Sequence, residues 1–474
     1  MIGKLFRDST ALSLSQIVAN IAAFLMAWSI ARGMGDAPYG IFAAAYALAT
    51  ALASVADSGV RLALIREVAR EPGHWRGLLR YAVIVSFCLG AALAAIAVLV
   101  IVLREGLSEV QRLRIVLLGF ALLWVEMRIL TGVLSGRGLF VPVGVWTAAE
   151  RIGGAVLIGA LVFGLHAGLV TLAAGLCIWE LAVVLALWRW MLRQGWPAGG
   201  VEMSAWRFLR LAIPFGLAGI ASGVLSKLDL IVLGFQQAPA PVGYYAAGQT
   251  LSLLALFAVI ALSSAMYPTL TEMARDGRHA DARSLLMPAL GTSMLMILSF
   301  ASILIAGAPH WLAWIYGSAF TAGAPWLVLF AIASVFPTLG SLFGSVVSAW
   351  GWQARWARVV VLALALAVPL FWWSGRQWGI VGIASCAVLA QLGPALVLWR
   401  WLCRADLVDD RWWMAKVVLV QLAMGGAVAG CGIGNPLLWL LPLAVPAAMI
   451  AGGICRKAWV SRLLGLLVSG RRTA

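Results

Sequence analysis

The chain has 474 residues, of which 63% are hydrophobic and only 11% are charged. A soluble domain carries about a quarter charged residues, so this composition excludes a water-soluble protein and indicates a polytopic membrane protein. The net charge of +16 does not indicate nucleic-acid binding, because the basic residues flank apolar stretches in short loops, where they set membrane orientation.

Long apolar stretches recur along the whole chain, each near the roughly 20 residues that cross a bilayer as a helix. The pattern predicts an all-α fold with about 14 transmembrane helices. Residues 1–7 lead into the first span without a small-residue cleavage site, so we expect a retained helix and not a removed signal. The predicted spans centre near Asn20, Thr50, Ala92, Leu123, Leu157, Leu181, Gly223, Ala255, Ile297, Val335, Leu364, Leu389, Met424 and Val445.

The connecting loops differ in their content of Lys and Arg. About 26 of the 34 basic residues fall on the side that carries both termini, which the positive-inside rule assigns to the cytoplasm. We therefore expect both termini to be cytoplasmic, in agreement with an even number of spans.

Two distant segments of the chain resemble each other without gaps. Aligning residues 5–44 with residues 208–247 places Gly40 on Gly243. Transporters built from repeats bind their substrate at the interface between the repeats. The repeat predicts two six-helix halves followed by two extra helices and a basic cytoplasmic tail, at residues 1–195, 196–404 and 405–474.

Ionisable residues inside the predicted spans are the strongest functional signal, because a charge at the bilayer centre costs at least about 2.5–3.5 kcal/mol. Most lie in the first seven spans, which predicts a charge-lined cavity there; interhelical ion pairs that hold the helices together are the alternative. The basic candidates for an anion-binding cavity are Arg32, Arg61, Arg128, Arg151 and Lys227. The acidic candidates for binding a coupling ion or for charge pairing are Asp57, Glu126, Glu150, Glu180 and Asp229.

Spacing restricts how these charges can pair. Asp57 and Arg61 are four residues apart and can meet on one helical face. Glu126 and Arg128 are only two residues apart and point in different directions, so each needs a partner on another helix or in a wet cavity. The same holds for the lysine and the aspartate of the seventh span.

Two segments have apolar and charged residues on opposite helical faces. Residues 64–71 are predicted to form a helix along the cytoplasmic membrane surface, and residues 271–286 a similar one. Either could act as a gate or a docking surface, although a surface connector is the simpler interpretation.

No catalytic constellation is present in the sequence. The four histidines, at positions 74, 166, 279 and 310, lack metal-ligand spacing, and no GxxxxGK[ST] phosphate loop occurs. The six cysteines form no close pair and are typical of small core residues. We expect no enzymatic activity, no metal and no cofactor.

Several short motifs, in their order along the chain, carry a family resemblance. They are Gly35-Asp36-Ala37-Pro38-Tyr39-Gly40, Asp57-Ser58-Gly59, Asp229-Leu230-Ile231-Val232-Leu233-Gly234, Val242-Gly243-Tyr244-Tyr245-Ala246-Ala247 and Ile315-Tyr316-Gly317-Ser318-Ala319-Phe320. This series resembles the polysaccharide-flippase families of the multidrug/oligosaccharidyl-lipid/polysaccharide exporter superfamily. Only Gly40, Gly243, Asp57 and Asp229 lie at motif positions, so the resemblance assigns no role to the arginines.

The resemblance implies two six-helix bundles in a V-shaped arrangement with two C-terminal helices, in the bacterial inner membrane. It implies a flippase that moves an undecaprenyl-pyrophosphate-linked oligosaccharide by alternating access, for O-antigen or exopolysaccharide assembly. The implied partners are this substrate, H⁺ or Na⁺ as coupling ion, membrane lipids, a polysaccharide polymerase and a chain-length regulator, with no nucleic acid.

Two other functions stay open at this point. A multidrug or cation antiporter of the same superfamily would favour acids over basic groups in its cavity, and this chain has both. A membrane-embedded polymerase or acyltransferase would need a histidine or an acid on an outer loop, where only His166 and His310 are predicted.

Overall fold

A computed structural model of the protein describes residues 2–57, 59–105, 108–196, 204–254, 256–408 and 412–451. Within these ranges the chain is helical and contains no β-strand, which confirms the predicted all-α class. The helices are α1 (Ile2–Met34), α2 (Asp36–Asp57), α3 (Val60–Arg70), α4 (Trp75–Glu105), α5 (Glu109–Gly136), α6 (Phe140–Gly159), α7 (Leu169–Arg193), α8 (Ala205–Leu225), α9 (Leu228–Gln236), α10 (Pro239–Ser252), α11 (Leu256–Arg275), α12 (His279–Ala306), α13 (Ala308–Ile315), α14 (Ala324–Ala333), α15 (Val335–Ala349), α16 (Gln353–Arg404), α17 (Trp413–Cys431) and α18 (Leu441–Ala451). The predicted basic tail lies outside the described residues from position 452 onward.

Most of these helices have the length and apolar composition of membrane spans. In the described part of the chain, nine helical stretches could cross a membrane, or ten if the bent α8 counts as one span. The 52 residues of α16 would reach about 78 Å as one helix, more than twice the thickness of a bilayer core. Non-helical backbone at Gly379 (φ 57°, ψ −137°) divides it into two helices, as the predicted centres near Leu364 and Leu389 require. The predicted total of about 14 spans is consistent with this arrangement.

The helices pack into two compact units. The first unit consists of Leu14–Gly243 and Ala354–Cys386, and the second of Met1–Ser13, Tyr244–Gln353 and Ala387–Ala474. Every charged residue singled out from the sequence belongs to the first unit. The domain boundaries predicted after residues 195 and 404 stay predictions.

Small residues allow α2 to pack closely inside the first unit. Its Ala-rich sequence contacts α4, α5, α8 and α9. A Cβ added to Gly234 would lie 2.5 Å from the Cβ of Ala44, and one added to Gly223 would overlap the Ser54 side chain. Close backbone approach of this kind replaces the hydrophobic effect as the source of helix association in lipid.

The seventh span is not the continuous helix that was predicted around Gly223. The segment Trp206–Ile213 meets Gly216–Leu225 at a bend of 51°, and a turn at residues 226–227 separates α8 from α9. Pro214 accounts for the bend, since proline lacks the N–H that a helix interior requires. Lys227 therefore lies at a helix break and not within a helix.

The amphipathic segment predicted at residues 64–71 is helical, as part of α3. Its apolar face is buried against α4, α5 and α8, with Val60, Leu64 and Val68 fully inaccessible. Protein and not lipid therefore covers this face, which was not expected for a helix on the membrane surface.

The prediction of a similar surface helix at residues 271–286 is wrong. Residues 271–275 end α11 and residues 279–286 begin α12, with Gly277 at φ 69° in the turn between them. The charged residues of this segment cluster because they lie at a turn between two helices, where polar side chains are expected whether or not the segment is amphipathic.

The interior of the second unit is held by apolar packing and by hydrogen bonds of neutral groups. Ser263 Oγ on α11 donates to the carbonyl of Ser341 on α15 at 2.8 Å. Gln421 on α17 donates to the carbonyl of Ile332 on α14 at 2.6 Å. The ring of Tyr245 contacts that of Phe330 edge-on, with centroids 4.8 Å apart.

Candidate functional site

The two motif glycines contact each other within the first unit. Gly40 is the fifth residue of α2 and Gly243 the fifth residue of α10, so the repeat places them at equivalent positions. A Cβ on Gly40 would overlap the carbonyl oxygen of Pro239 and lie 2.7 Å from the Gly243 nitrogen. A Cβ on Gly243 would overlap the carbonyl oxygen of Asp36. The two repeat copies thus cross backbone to backbone at a point where only glycine fits.

Asp57, at the end of α2, is the acid of the first ion-pair cluster. Its Oδ2 lies 2.9 Å from the Arg128 guanidinium on α5 and 3.9 Å from Nε of Arg61 on α3. Its Oδ1 accepts a hydrogen bond from the backbone N–H of Arg61 at 3.3 Å. The predicted Asp57–Arg61 pair therefore exists, but the closer partner comes from another helix.

One carboxylate in this cluster serves two guanidinium groups. The side chains of Arg61 and Arg128 are about a third exposed, whereas that of Asp57 is 11% exposed. Nε of Arg61 is buried and has no hydrogen-bond partner among the described residues. The cluster therefore carries one positive charge in excess and retains unused donor capacity.

Trp124 on α5 connects this cluster to a second one. The guanidinium carbons of Arg128 and of Arg151, on α6, each lie 5.2 Å from the Trp124 ring centroid. Such cation–π contacts contribute about 0.5–1 kcal/mol at exposed sites and more when water is excluded. Arg151 also hydrogen-bonds the Tyr46 side chain on α2, so α2, α5 and α6 meet at this residue.

The second cluster contains two acids and one cation. Nε of Arg151 lies 3.2 Å from Oε1 of Glu150, its neighbour on α6. Glu180 on α7 interacts electrostatically with both, and only 1% of its surface is exposed. Its Oε1 has no hydrogen-bond partner in the described part of the chain.

Close packing of α6 against α7 holds these residues together. The Trp179 ring lies against Gly153, where a Cβ would overlap it. Its indole N–H donates to the carbonyl of Glu150 at 2.9 Å. Two residues earlier on α7, Cys177 Sγ lies 3.2 Å from the carbonyl of Val116 on α5.

Glu126 has a partner on a different helix from that of Arg128, as their spacing predicts. Ser86 Oγ on α4 lies 3.0 Å from Oε1 of Glu126 and donates a hydrogen bond to it. The carboxyl group thus lies between α4 and α5, away from the Asp57 cluster.

The remaining predicted residues are Arg32, Lys227 and Asp229. Lys227 interacts electrostatically with Asp229, whose Oδ1 accepts a hydrogen bond from the backbone N–H of Leu230 at 2.8 Å. Arg32 is in the last turn of α1 and is exposed.

Sequence reasoning missed three residues that contact the predicted charges. Trp124 precedes Arg128 by four residues, a helical spacing that could have identified it. Tyr46 and Ser86 gave no signal, because hydroxyl groups are tolerated in spans and their partners are 105 and 40 residues away. Arg114, which was not singled out from the sequence, lies on α5 and donates to the carbonyl of Gly234 at 3.3 Å.

The described side chains of these clusters are guanidinium and carboxyl groups. Among the described residues, no group of three or more His, Cys, Asp or Glu side chains could hold a metal ion. The three arginines on α3, α5 and α6 present rigid, always-charged forks that suit phosphate oxygens. The carboxyl groups on α5, α6 and α7 are the groups that can exchange a proton.

Comparison with solved structures shows the fold. The lipid II flippase MurJ, in an inward closed conformation, superposes with a TM-score of 0.71 at 14% identity, covering 92% of this chain and 97% of its own. An inward-facing multidrug-resistance MATE transporter of the MOP superfamily superposes with a TM-score of 0.66 at 15% identity, covering 88% of this chain and 99% of its own. A MOP-superfamily transporter from Pyrococcus furiosus is described as having a binding pocket of reverse polarity. It superposes with a TM-score of 0.61 at 15% identity, covering 85% of this chain and 96% of its own.

Comparison at the level of sequence identifies the family. No curated protein sequence matches the chain. The profile of a family described as polysaccharide biosynthesis protein matches residues 5–274, which is more than half of the 474 residues. This segment contains both copies of the repeat and all ten charged residues predicted for the site. The chain is therefore a multi-pass membrane protein that belongs to the polysaccharide biosynthesis protein family.

Proposed function

We propose that the protein is a flippase for undecaprenyl-pyrophosphate-linked oligosaccharide repeat units, serving O-antigen or exopolysaccharide assembly. The observation that carries the proposal is the Asp57 cluster, in which two arginines share one carboxylate. A pyrophosphate supplies several oxygens for bidentate bonding to guanidinium groups. The excess positive charge and the unused donors of Arg61 fit such a ligand.

Family membership and fold support the same substrate class. The family is described by polysaccharide biosynthesis, and MurJ, whose fold the chain shares, is described as a lipid II flippase. A flippase needs no bond-making chemistry, which agrees with the lack of a catalytic constellation in the sequence. In this proposal the protein lies in the bacterial inner membrane with both termini in the cytoplasm, and its product passes to a polymerase and a chain-length regulator.

Alternating access would be driven by a gradient of H⁺ or Na⁺. The buried acids Glu150 and Glu180 support ion coupling, because a carboxyl group at the middle of a span costs free energy and usually has a function. The discontinuous seventh span supports a substrate path past Lys227, since transporters place binding sites at broken helices.

The MATE-like fold makes a multidrug or cation antiporter the second candidate. Its supporting observation is the set of buried carboxylates in the first unit, Asp57, Glu150, Glu180 and Asp229. A cation substrate would have to displace the arginines that now pair with two of these acids. The cationic excess at Asp57 therefore favours the anionic substrate.

A reconstituted flipping assay tests the proposal. The full chain in lipid vesicles is given a fluorescent undecaprenyl-pyrophosphate disaccharide, and a membrane-impermeant quencher reports the fraction in the outer leaflet. We expect the protein to make nearly all of the probe accessible, whereas protein-free vesicles protect the inner half. Transport of ethidium without flipping of the probe would favour the antiporter, as would normal surface polysaccharide in a deletion strain that has no second flippase.

A further inference from the structure

Arg114 joins two helices that belong to different halves of the predicted repeat. It lies near the start of α5, in the predicted first half, whereas Gly234 lies near the end of α9, in the predicted second half. The Arg114 guanidinium donates a hydrogen bond to the Gly234 carbonyl at 3.3 Å. Its central carbon also lies 4.9 Å from the ring centroid of Phe235. Both contacts therefore connect one half of the repeat to the other.

The backbone at the end of α9 explains why a side chain from another helix can bind there. The carbonyl of Leu233 accepts the backbone N–H of Gln237. Gln237 itself is extended, with φ −121° and ψ 159°, so the chain leaves the helix at this residue. The next carbonyl, that of Gly234, is among the last groups of the helix, which need acceptor partners from outside it. A cation is also favoured at the C-terminal end of a helix.

This contact lies at the same end of α2 as the crossing of the two repeat copies. Gly234 packs against Ala44, one turn after Gly40 on α2, and α2 contacts both α5 and α9. The opposite end of α2 is Asp57, in the cluster assigned to the substrate. With the termini in the cytoplasm, as proposed, Arg114 is at the outer end of these helices.

A second polar contact ties α9 to its own half of the repeat. Nε2 of Gln236 donates to the carbonyl of Trp372 on α16 at 3.1 Å. A Cβ added to Gly375 would overlap Oε1 of the same glutamine, so the side chain lies directly on the α16 backbone. The end of α9 is thus held on one side by Arg114 and on the other by α16.

We propose that Arg114 is a latch that keeps the outer end of α5 closed on α9, and that its bond to Gly234 breaks each time the outer side opens. The Gln236 contact stays intact in that movement, because α9 and α16 move together. The role of this latch in releasing the lipid-linked substrate rests on the proposed function, whereas the closure of α5 on α9 does not.

The chemistry of the contact suits a bond that must break repeatedly. Its acceptor is a neutral carbonyl, so separation leaves one charge to be solvated and not two. Arg114 is half-buried, and water can reach its guanidinium when the helices part. A hydrogen bond from a charged donor shifts a two-state equilibrium by about tenfold to a hundredfold, which is enough to favour the closed state without fixing it.

Pulsed electron paramagnetic resonance on the full chain in lipid nanodiscs tests the latch. Spin labels are placed on a cysteine-free version at Leu103, which is exposed near the end of α4, and at Ala238, which is exposed after α9. Native protein is expected to show mainly one distance. Arg114→Gln should raise the ratio of a longer distance to that distance about tenfold. An unchanged distribution in Arg114→Gln would overturn the proposal.

Arg112→Gln is the matched control, because Arg112 is exposed two residues earlier on the same helix. It should leave the distances unchanged. Phe235→Leu keeps the proposal testable if Arg114→Gln fails to fold, since it removes only the ring beneath the guanidinium. It should give a smaller shift in the same direction, and no shift would contradict the latch.

Gln236→Ala separates a latch from a general loss of packing. It removes the contact between α9 and α16, so it should lower the midpoint of thermal unfolding and leave the ratio of the two distances unchanged. A longer distance as abundant as in Arg114→Gln would show that any loosening of α9 opens this end, which contradicts a specific role of Arg114.

The vesicle assay separates this inference from the proposed function. If the distances respond to Arg114→Gln but native protein flips no lipid-linked probe, the proposed function fails while the latch stands. If native protein flips the probe and the distances do not respond to Arg114→Gln, the latch fails while the proposed function stands.

Discussion

The two units of this molecule differ in the kind of polar residue that they bury. Every buried carboxylate of the described residues belongs to the first unit, at positions 57, 67, 150, 180 and 229. The buried polar residues of the second unit are serines, a threonine and one glutamine. Among these, Ser302, Ser334 and Thr338 donate to carbonyl groups three or four residues earlier in their own helices.

This contrast separates groups that depend on other helices from groups that do not. A hydroxyl that bonds its own helix stays satisfied when the helix moves as a whole. A carboxylate paired with an arginine on another helix does not, so any relative movement of α2, α5 and α6 must exchange its partners. The buried ion pairs of the first unit are therefore sensitive to relative movement of their helices, whereas the buried hydroxyl groups of the second unit are not.

The largest effect is expected from removing a cation in the first unit. Arg128→Ala leaves Asp57 with only the more distant Arg61, and losing one partner of a buried ion pair costs about 3 kcal/mol or more. We expect a clearly lower midpoint of thermal unfolding and a roughly tenfold or greater loss of flipping, since charged hydrogen bonds contribute about 1.5–3 kcal/mol. Arg128→Lys should recover part of the loss.

Arg358→Ala is the matched control, because this arginine of α16 is exposed and belongs to the same unit. It should leave the unfolding midpoint and the flipping rate unchanged. Equal effects of the two alanine variants would remove the distinction between paired and surface arginines.

A smaller effect is expected at the crossing of the repeat copies. Gly40→Ala introduces a Cβ that overlaps the Pro239 carbonyl, and backbone cannot rotate away as a flexible side chain does. Overpacking of this kind costs about 2 kcal/mol. Tryptophan-fluorescence melting of the purified variant should show the loss directly.

Gly219→Ala on α8 provides the control for that change, because no atom lies within 4 Å of the added Cβ. It should stabilise the protein by up to about 1 kcal/mol through its higher helix propensity. If Gly40→Ala and Gly219→Ala have the same stability, the two repeat copies do not meet at Gly40 as described.

The smallest effect is expected in the second unit. Ser263→Ala removes a neutral hydrogen bond between α11 and α15, which contributes about 1 kcal/mol. We expect a slightly lower unfolding midpoint and flipping within about twofold of native, since no charge is left without a partner. A loss of flipping as large as that of Arg128→Ala would show that the second unit also responds to substrate.

Much of the fold follows from the sequence because hydropathy and repetition are local patterns. The apolar stretches predicted the helical spans, and the repeat placed Gly40 and Gly243 at equivalent positions. The i,i+4 rule found the Asp57–Arg61 pair, and the divergence of Glu126 from Arg128 predicted separate partners. Each of these inferences needs only helix geometry.

The rest of the site depends on how helices rotate and cross, which local patterns do not specify. The 2.9 Å contact of Asp57 with Arg128 joins residues 71 positions apart, and Tyr46 reaches Arg151 across 105 positions. The break at residues 226–227 was also missed, because a Ser-Lys step is compatible with a continuous helix. Such features require the packing of several helices at once.

The contact between Gly40 and Gly243 also bears on the history of the chain. A half-length ancestor that carried one such glycine would have placed it against its own copy in a two-fold symmetric dimer. In an isologous interface a single substitution appears twice at the symmetry axis, so a side chain there contacts its own copy in the other subunit. Gene duplication and fusion would then have turned one inherited position into two, each with its own codon. The two halves could afterwards acquire different charges while the crossing point kept the residue that the ancestral symmetry had required.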